Sequence, residues 1–279
     1  MTPIRSAYAR TDHSRWSVRP DSRTNSSATA PGRAGGGAAG LMAACFAGGA
    51  GRAVVLLERT RQGGKKIVVA GGGRCNVLPS ALDASRYVTA SSPNTLRRML
   101  RLWPLAEQIR FFEDVLGVPL VREEETGKLF PASQRAQDVR DALFRYARAR
   151  RVEVQTVTRL IDAVPNADGT WHLALDGGAS LTADAVVLAT GGLSVPNTGS
   201  TGDGLRIARK LGHTVHPTYA ALTPLLASEN PHADLSGISL TARVRVPQAR
   251  FETAGGFLFT HRGYSGPTVL DASHHATQP

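Results

Sequence analysis

Cysteine is scarce in this sequence, and long apolar runs are absent from it. The two cysteines, Cys45 and Cys75, are far apart and do not form a C-x-x-C pair. Together with the absence of a recognisable secretory signal, this favours a reducing cytoplasm. No stretch approaches the roughly 18 consecutive apolar residues that a membrane-spanning helix needs, and the nearest candidate, residues 34–51, is mostly glycine and alanine. We therefore predict a cytoplasmic protein with no membrane partner.

Lysine is also scarce, although the chain is strongly basic. Of 33 basic residues only Lys65, Lys66, Lys128 and Lys210 are lysines, and the formal net charge is +11. The arginines are spread over many segments with alanine between them, which indicates a composition bias. A nucleic-acid site is typically a concentrated basic stripe with interleaved aromatic residues. The sequence shows no such stripe, so we predict no nucleic-acid partner.

Hydrophobic periodicity divides the chain into a tail and two regions of regular structure. Residues 1–33 are rich in Ser, Thr, Arg and Pro and have no apolar period, so we predict a disordered or non-native tail. From Gly35 onward the order is a glycine loop, a helix and a buried strand at 53–58. The predicted helices then follow at 96–103, 105–116, 139–147 and 203–211.

Strand patterns begin near residue 152. Segments 152–155, 160–164 and 170–175 alternate between apolar and polar residues and are separated by turn residues, which predicts a small antiparallel meander. Residues 185–192 form a continuous apolar run, typical of a strand buried on both faces of a parallel sheet. Residues 238–246 alternate again and predict a half-exposed strand.

A glycine motif opens the first region. Gly35, Gly37 and Gly40 form G-x-G-x-x-G, in which glycines permit a tight turn, close approach to a pyrophosphate and helix–strand packing. The spacing alone is weak evidence, because a chain with 29 glycines produces it by chance. Glu58, however, ends the next predicted strand, where a carboxylate accepts hydrogen bonds from ribose hydroxyls. The pair indicates a dinucleotide site; a flexible Gly/Ala segment and an ordinary strand-end carboxylate are the alternatives.

A second glycine cluster lies in GGKKIVVAGGGRCN, residues 63–76. Arg74 is suited to phosphate and Asn76 to a flavin edge or ribityl hydroxyl; a glycine-rich turn with solvated charges is the alternative. For Cys75 we favour a structural or flavin-adjacent role over a redox thiol.

Five ordered motifs closely resemble a bacterial family of NAD(P)/FAD-dependent oxidoreductases, which includes aminoacetone oxidase-like proteins and a reductase of bile-acid dehydro-intermediates. They are GGGAAGLMAA, GKKIVVAGGGRCN, LFP at 129–131, VVLATGGLSVPNTGSTGDG and FLFTHRGYSGPTVL. The resemblance implies an α/β fold: a Rossmann-type FAD-binding domain of the glutathione-reductase type at 34–214, with a β-meander and a helical insert. Part of an inserted β-rich domain would occupy 215–279.

The resemblance also implies the cofactor contacts. By residue-wise transfer, the loop that holds the FAD pyrophosphate consists of Gly35, Gly36, Gly37, Ala38, Ala39 and Gly40, and Glu58 binds the adenosine ribose. Val157 lies near the adenine, and the flavin side is lined by Lys65, Lys66, Arg74 and Asn76. A second contact strand consists of Ala189, Thr190, Gly191 and Gly192. Arg59, Gly72 and Cys75 complete the predicted set. The implied activity is oxidation or reduction of a small organic substrate, with NAD(P)H as a candidate electron donor and the chemistry carried by the flavin.

Two departures from the family pattern affect this reading. A Rossmann glycine loop usually follows a buried strand, yet SSATAPGRA precedes Gly35, so we expect the first strand to be missing. Family members also continue past the Ser-Gly-Pro motif at 265–267. We therefore expect a fragment, and the alternative function is a non-catalytic flavoprotein remnant that binds no cofactor.

The remaining polar residues suggest no other chemistry. Two histidine pairs, His213 with His216 and His274 with His275, lack a further ligand cluster, so we predict no metal site. His261 and Ser265 lack a nucleophile-elbow context, and a Gly-Pro follows the serine, which favours a turn. We assign no catalytic residue.

Overall fold

The computed structural model describes residues 32–48, 53–89 and 91–278, and it divides the chain into two compact units, residues 1–211 and 212–279. The strands of unit one are β1 (Gly32–Ala34), β2 (Val54–Glu58), β3 (Leu78–Pro79), β4 (Leu120–Glu123), β5 (Lys128–Pro131), β6 (Val152–Thr156), β7 (Leu160–Pro165), β8 (Trp171–Leu175), β9 (Ser180–Ala183) and β10 (Val186–Leu188). Its helices are α1 (Ala38–Gly48), α2 (Lys65–Val69), α3 (Pro93–Leu102), α4 (Leu105–Arg110), α5 (Ala136–Ala149) and α6 (Asp203–Lys210).

A four-stranded parallel sheet in the order β10-β1-β2-β6 forms the centre of unit one. Strand β2 is buried along its whole length, and its side chains alternate between two cores. Val54 and Leu56 belong to a core with residues of α1 and α5, whereas Val55 and Leu57 belong to a core with the β7-β8-β9 sheet and Ile207 of α6. Helices and a meander therefore cover opposite faces of the sheet, as in a Rossmann-type α/β domain.

The predicted helices and several strands are confirmed. Helices α3, α4, α5 and α6 lie where the 3.6-residue period placed them, and a short π-helical segment, Phe111–Val115, continues α4. Strand β2 matches the predicted buried strand at 53–58. Helix α5 shows the physical reason, because its predicted apolar stripe is buried at Val139, Ala142, Leu143 and Ala147.

The expectation of a missing first strand is wrong. Residues Gly32–Ala34 form β1, which pairs in parallel with both β2 and β10. A central strand gains backbone hydrogen bonds from two neighbours, so three residues without apolar β-formers suffice. The predicted tail, residues 1–33, otherwise lies outside the described residues.

Two further strand predictions need correction. Strand β6 pairs in parallel with β2, so residues 152–155 belong to the central sheet and not to the meander. Val152 of β6 is buried and Glu153 is exposed, so one face of this strand meets the core, and its sequence alternates as a meander strand does. Strand β10 was predicted to be buried on both faces, but it lies at the opposite edge, and Val187 is 38% exposed.

Unit two is a small α+β unit. Its strands are β11 (Leu225–Leu226), β12 (Ser239–Val246), β13 (Phe251–Thr260) and β14 (Gly263–Ser265), and its helices are α7 (Pro267–Ala272) and α8 (His274–Thr277). The strands form an antiparallel sheet in the order β11-β14-β13-β12, and the predicted half-exposed strand at 238–246 is confirmed as β12. Helix α7 packs against β12 and β13, and the Thr268 hydroxyl donates to the Gly256 carbonyl at 2.8 Å.

Candidate cofactor site

The turn from β1 into α1 requires glycine at two positions, because other backbone atoms of the protein lie against them. Gly35 has a φ of +111°, and a Cβ there would lie 2.2 Å from the Ala189 carbonyl oxygen. A Cβ on Gly40 would lie 1.7 Å from the Gly35 carbonyl oxygen. Any side chain at either position would therefore collide with backbone, and these glycines let the loop, α1 and the β10 end pack closely.

Gly37 differs from both of them. A Cβ at this position would meet no protein atom within 4 Å, and its φ does not require glycine. The protein itself thus gives no reason for a glycine here. Gly37 lines a cavity and immediately precedes α1, whose first backbone N–H groups have no partner inside the helix. A cradle that an added Cβ would fill fits the close approach of a pyrophosphate.

Glu58, at the end of β2, contacts the glycine loop through its carboxylate. Its Oε2 accepts a hydrogen bond from the Gly36 N–H at 2.7 Å, and its Oε1 accepts from both the N–H and the hydroxyl of Thr60 at 2.6 Å each. An ionised carboxylate offers about four acceptor positions, so capacity remains for a ligand hydroxyl. Glu58 is only 7% exposed, and it also lines the cavity.

The cavity has a volume of about 800 Å³, within the range of cofactor pockets. It lies where the carboxyl ends of β1, β2 and β10 meet, which is where α/β sheets bind ligands. Thirteen of the predicted site residues line it: Gly35, Gly37, Ala38, Ala39, Glu58, Arg59, Lys65, Lys66, Cys75, Asn76, Ala189, Thr190 and Gly191. Residues that are distant in sequence are thus brought together around one space.

Six predicted residues do not line the cavity: Gly36, Gly40, Gly72, Arg74, Val157 and Gly192. Gly36 donates its N–H to Glu58, and Gly40 lets α1 pack closely against the loop, so both shape the cavity without lining it. Arg74 is paired with Glu123 at 2.8 Å and lies over the Phe130 ring at 4.2 Å. Val157 follows β6 in a left-handed conformation, φ +55°, and is 62% exposed.

Lys66 binds the loop on the far side of the cavity. Its Nζ donates to the Ser194 carbonyl at 2.9 Å, to the Ser194 hydroxyl at 3.0 Å and to the Ser200 hydroxyl at 3.0 Å. Its neighbour Lys65 is exposed, lines the cavity and has no hydrogen-bond or ion-pair partner among the residues that the structure describes. The two lysines therefore have different roles: one fixes a wall, and the other leaves its charge available.

Two cavity residues, Arg159 and Asp203, were not predicted from the sequence. The Arg159 guanidinium holds Asp203 through two hydrogen bonds of 2.9 and 2.7 Å, and Arg59 lies 3.5 Å from the same carboxylate. The hydrogen bonds from Arg159, aided by the charges of both arginines, hold the pKa of Asp203 below its usual range despite its burial. The one available signal was GSTGDG at 199–204, which lies in a quoted family motif and leads into α6.

Charge in the cavity wall is positive overall. Four basic side chains (Arg59, Lys65, Lys66, Arg159) face two acidic ones, Glu58 and Asp203. The surplus of two positive charges, added to the N-terminus of α1, complements an anionic dinucleotide.

Both cysteines are buried thiols. Burial raises the pKa of Cys45 to about 11, and the thiol donates to the Leu143 carbonyl at 3.6 Å. Burial also raises the pKa of Cys75, which lines the cavity with a left-handed φ of +64°. A thiol with a raised pKa is a poor nucleophile. The structural or flavin-adjacent role of Cys75 stays a prediction.

The described residues contain neither a metal-ligand cluster nor a membrane-spanning helix. No group of three or more His, Cys, Asp or Glu side chains there could hold a metal ion. None of the described helices has the length and apolar character to cross a membrane.

Comparison with known proteins gives two curated relatives of similar identity and coverage. The chain is 34% identical over 206 residues to the 3-dehydro-bile acid delta(4,6)-reductase of Clostridium scindens, a match that covers 73% of this chain and 49% of the relative. It is 32% identical over 209 residues to the ribosomal RNA dihydrouridine synthase of Escherichia coli, covering 73% and 50%. The chain thus spans about half the length of the curated relatives it matches.

Among solved structures, Thermovibrio ammonificans THI4 matches with a TM-score of 0.43 and 20% identity, over 67% of this chain and 64% of that one. A score at this level supports no inference. The sequence profile described as "HI0933-like protein Rossmann domain", in contrast, matches residues 34–261. It covers most of the chain and agrees with the parallel sheet and the glycine loop. The predicted family and Rossmann-type FAD-binding fold are therefore confirmed, and the chain belongs to the HI0933-like Rossmann family of flavoproteins.

Proposed function

We propose that residues 34–214 bind FAD in the cavity at the carboxyl edge of the parallel sheet, and that the protein is an FAD-dependent oxidoreductase. The observation that carries this proposal is Gly37: it is open to the cavity, it precedes the N-terminus of α1, and nothing in the protein requires a glycine there. Bound FAD would supply hydride transfer. The protein residues bind and orient it.

Different residues of the cavity would bind different parts of FAD. The first N–H groups of α1 would hold the pyrophosphate, and Glu58 would accept hydrogen bonds from the ribose. Lys65 would pair with anionic groups. Lys66 would act indirectly, because its three hydrogen bonds fix the loop Ser194–Ser200. The roles predicted for Arg74 and Val157 stay predictions, since both lie off the cavity wall.

For the substrate we propose a small organic molecule with a carbon–carbon double bond conjugated to a carbonyl, and for the electron donor NAD(P)H. The names of both relatives support this class: one is a delta(4,6)-reductase of a 3-dehydro-bile acid, and the other makes dihydrouridine. Each name describes the addition of hydrogen to a double bond in a ring system that carries a carbonyl.

A uridine within RNA is the second candidate substrate. The Escherichia coli relative favours it by name. Helix α3 favours it by charge, because Arg97, Arg98 and Arg101 are exposed and the helix has no acidic residue. Arginines on an exposed helix contact phosphates, and such binding falls steeply as salt rises. Retention on RNA with that salt dependence would favour this candidate over a free small molecule.

Reconstitution with FAD tests the proposal. The purified chain is expected to be yellow, or to become yellow with added FAD, with a flavin absorbance band. Gly37→Ala should keep the fold and weaken FAD binding at least tenfold, because the methyl group fills the cradle. Wild type is the reference, and thermal melting of Gly37→Ala checks that its fold is kept.

Two results would contradict the proposal. A folded chain that stays colourless in excess FAD would support the alternative, a remnant that binds no cofactor. Equal FAD affinities for Gly37→Ala and wild type would place the cofactor elsewhere. The donor is tested separately, by whether NADH or NADPH bleaches the flavin band under anaerobic conditions.

A further inference from the structure

The turn formed by residues 71–76, between α2 and β3, has a mostly left-handed backbone. Gly71, Gly72 and Gly73 have φ values of +57°, +68° and +87°, and Cys75 has a φ of +64°. The left-handed region suits glycine, but it costs free energy for a residue with a side chain. Cys75 is therefore strained, and the contacts around the turn have to hold it in this conformation.

The turn presents two residues to the cofactor cavity. Cys75 and Asn76 both line the cavity, whereas the preceding residue, Arg74, does not. The Asn76 carboxamide has no hydrogen-bond partner among the residues that the structure describes. A carboxamide both donates and accepts hydrogen bonds, so Asn76 offers the cavity both kinds of contact. Whether it can use them depends on the conformation of the turn.

Arg74 connects the turn to the small β3-β5-β4 sheet. Its Nε donates to the Gly71 carbonyl at 3.3 Å, and its Nη1 donates to Glu123 Oε1 at 2.8 Å. The guanidinium also lies 4.2 Å from the centre of the Phe130 ring. The other oxygen of Glu123 accepts from the Thr126 hydroxyl at 2.7 Å, so the carboxylate is itself held in place. One side chain thus bridges the start of the turn and two strands, β4 and β5.

Strand β5 also contacts the turn directly. Phe130 is 3% exposed, and a Cβ on Gly71 would lie 2.9 Å from its ring. Just after the turn, the Val77 N–H donates to the Leu129 carbonyl at 2.9 Å. The sheet therefore holds the turn at both ends. Arg74 adds a planar group that stacks on Phe130 and pairs with a carboxylate at once, which a lysine could not do in the same way.

We propose that Arg74 is a positioning residue of the cofactor site: it holds the turn in the conformation in which the Asn76 carboxamide faces bound FAD. The inference rests on the proposed function and deepens it, because it gives Arg74 an indirect role in place of the predicted direct contact. Arg74 lies off the cavity wall, and Glu123 already neutralises its charge. Asn76 is then the residue of this turn that hydrogen-bonds a polar edge of the flavin.

The first test needs no cofactor. In a Cys45→Ser background Cys75 is the remaining thiol, and at 6% exposure it should react slowly with a disulfide reagent. Arg74→Met should speed this labelling at least tenfold, because the turn opens more often without its contacts to the sheet. Arg122→Met is the matched control, since Arg122 is exposed on β4 and has no hydrogen-bond or ion-pair partner among the described residues. It should leave the labelling rate unchanged.

FAD titrations of the full chain separate an indirect role from a direct one. Asn76→Ala should weaken FAD binding about tenfold, through the loss of a hydrogen bond, and shift the absorbance band of the bound flavin. Arg74→Met should cause the same shift, and adding Asn76→Ala to it should weaken binding little further, because the carboxamide no longer faces the flavin. A direct contact predicts instead that the two losses multiply and that Arg74→Met reduces the salt dependence of binding.

Glu123→Gln keeps the proposal testable if Arg74→Met fails to fold, because it removes the charge that holds Arg74 and should also speed Cys75 labelling. The proposal is overturned if Arg74→Met and Arg122→Met are labelled at equal rates, or if the losses from Arg74→Met and Asn76→Ala multiply. FAD binding by the wild type in these cases would leave the proposed function intact. A wild-type chain that binds no FAD would overturn the proposed function, and this inference with it, so the two failures are distinguishable.

Discussion

Arg159 and Asp203 form a two-point ion pair, with hydrogen bonds of 2.9 and 2.7 Å, that joins the segment after β6 to the first residue of α6. The Asp203 side chain is 11% exposed and the Arg159 side chain 39% exposed. Two parallel hydrogen bonds fix the orientation of Arg159 relative to Asp203, and with it the relative orientation of the two cavity walls that carry them. The pair therefore couples the shape of the cavity to the stability of unit one.

Asp203→Asn is expected to lower the free energy of unfolding by about 1–3 kcal/mol, because it leaves Arg159 and Arg59 facing a neutral amide. Solvent screening at Arg159 keeps the effect below that of a fully buried pair. Urea denaturation measures it. Asp162→Asn is the matched control: Asp162 pairs with Lys210, whose side chain is 57% exposed, so its loss should cost less than about 1 kcal/mol. Equal losses would contradict the prediction.

The same pair predicts a pH dependence. Hydrogen bonding from Arg159 lowers the pKa of Asp203 in the folded state, whereas the unfolded chain has an ordinary value of about 3.9. A lowered folded pKa contributes stability above the unfolded pKa, and this contribution is lost as pH falls through the folded pKa. The difference in unfolding free energy between wild type and Asp203→Asn should thus be constant above about pH 5 and shrink below about pH 4. A difference that grows in acid would refute this.

Sequence patterns predicted the residues whose roles depend on local chemistry. Gly37 and Glu58 were identified because the spacing of a glycine turn and a strand-end carboxylate reflects geometry within one β-α-β unit. Arg159 and Asp203 were missed because their contact spans 44 positions and follows from how α6 packs. The segment GSTGDG contains Asp203, but it does not indicate Arg159 as its partner.

Strand partners were predicted less well than strand positions. The segment 152–155 was correctly identified as a strand, but an edge strand of a parallel sheet and a meander strand show the same alternation. β1 was missed because the sequence of Gly32–Ala34 contains no run of apolar β-formers, whereas the structure identifies the strand by its backbone pairing to β2 and β10. The ring contacts among Phe257, Phe259 and Tyr264 likewise exist only through the register of β13 and β14.

Both thiols are expected to react slowly in the folded protein. With a pKa of about 11, Cys45 would be a thiolate for about one part in a thousand at pH 8, and Cys45 and Cys75 are only 1% and 6% exposed. A disulfide reagent should label neither thiol rapidly until guanidinium unfolds the chain. The variant Cys45→Ser isolates Cys75, whose labelling should slow further when FAD is added. A fast native phase in this variant would contradict the assignment of Cys75 as an inert cavity residue.

Substitutions of Lys65 and Lys66 are expected to differ in their effects on stability and on cofactor binding. Lys66→Met removes three hydrogen bonds to Ser194 and Ser200, so it should lower the free energy of unfolding by about 1 kcal/mol and weaken FAD binding through the displaced loop. Lys65→Met removes a charge without a partner in the described residues. It should leave the melting temperature unchanged, yet weaken FAD binding and reduce its dependence on salt, because a direct charge contact is lost. Thermal melts and FAD titrations at two salt concentrations measure both effects. If Lys65→Met lowers the melting temperature as much as Lys66→Met, or leaves FAD affinity unchanged, then Lys65 is a structural residue and its charge does not face the cofactor.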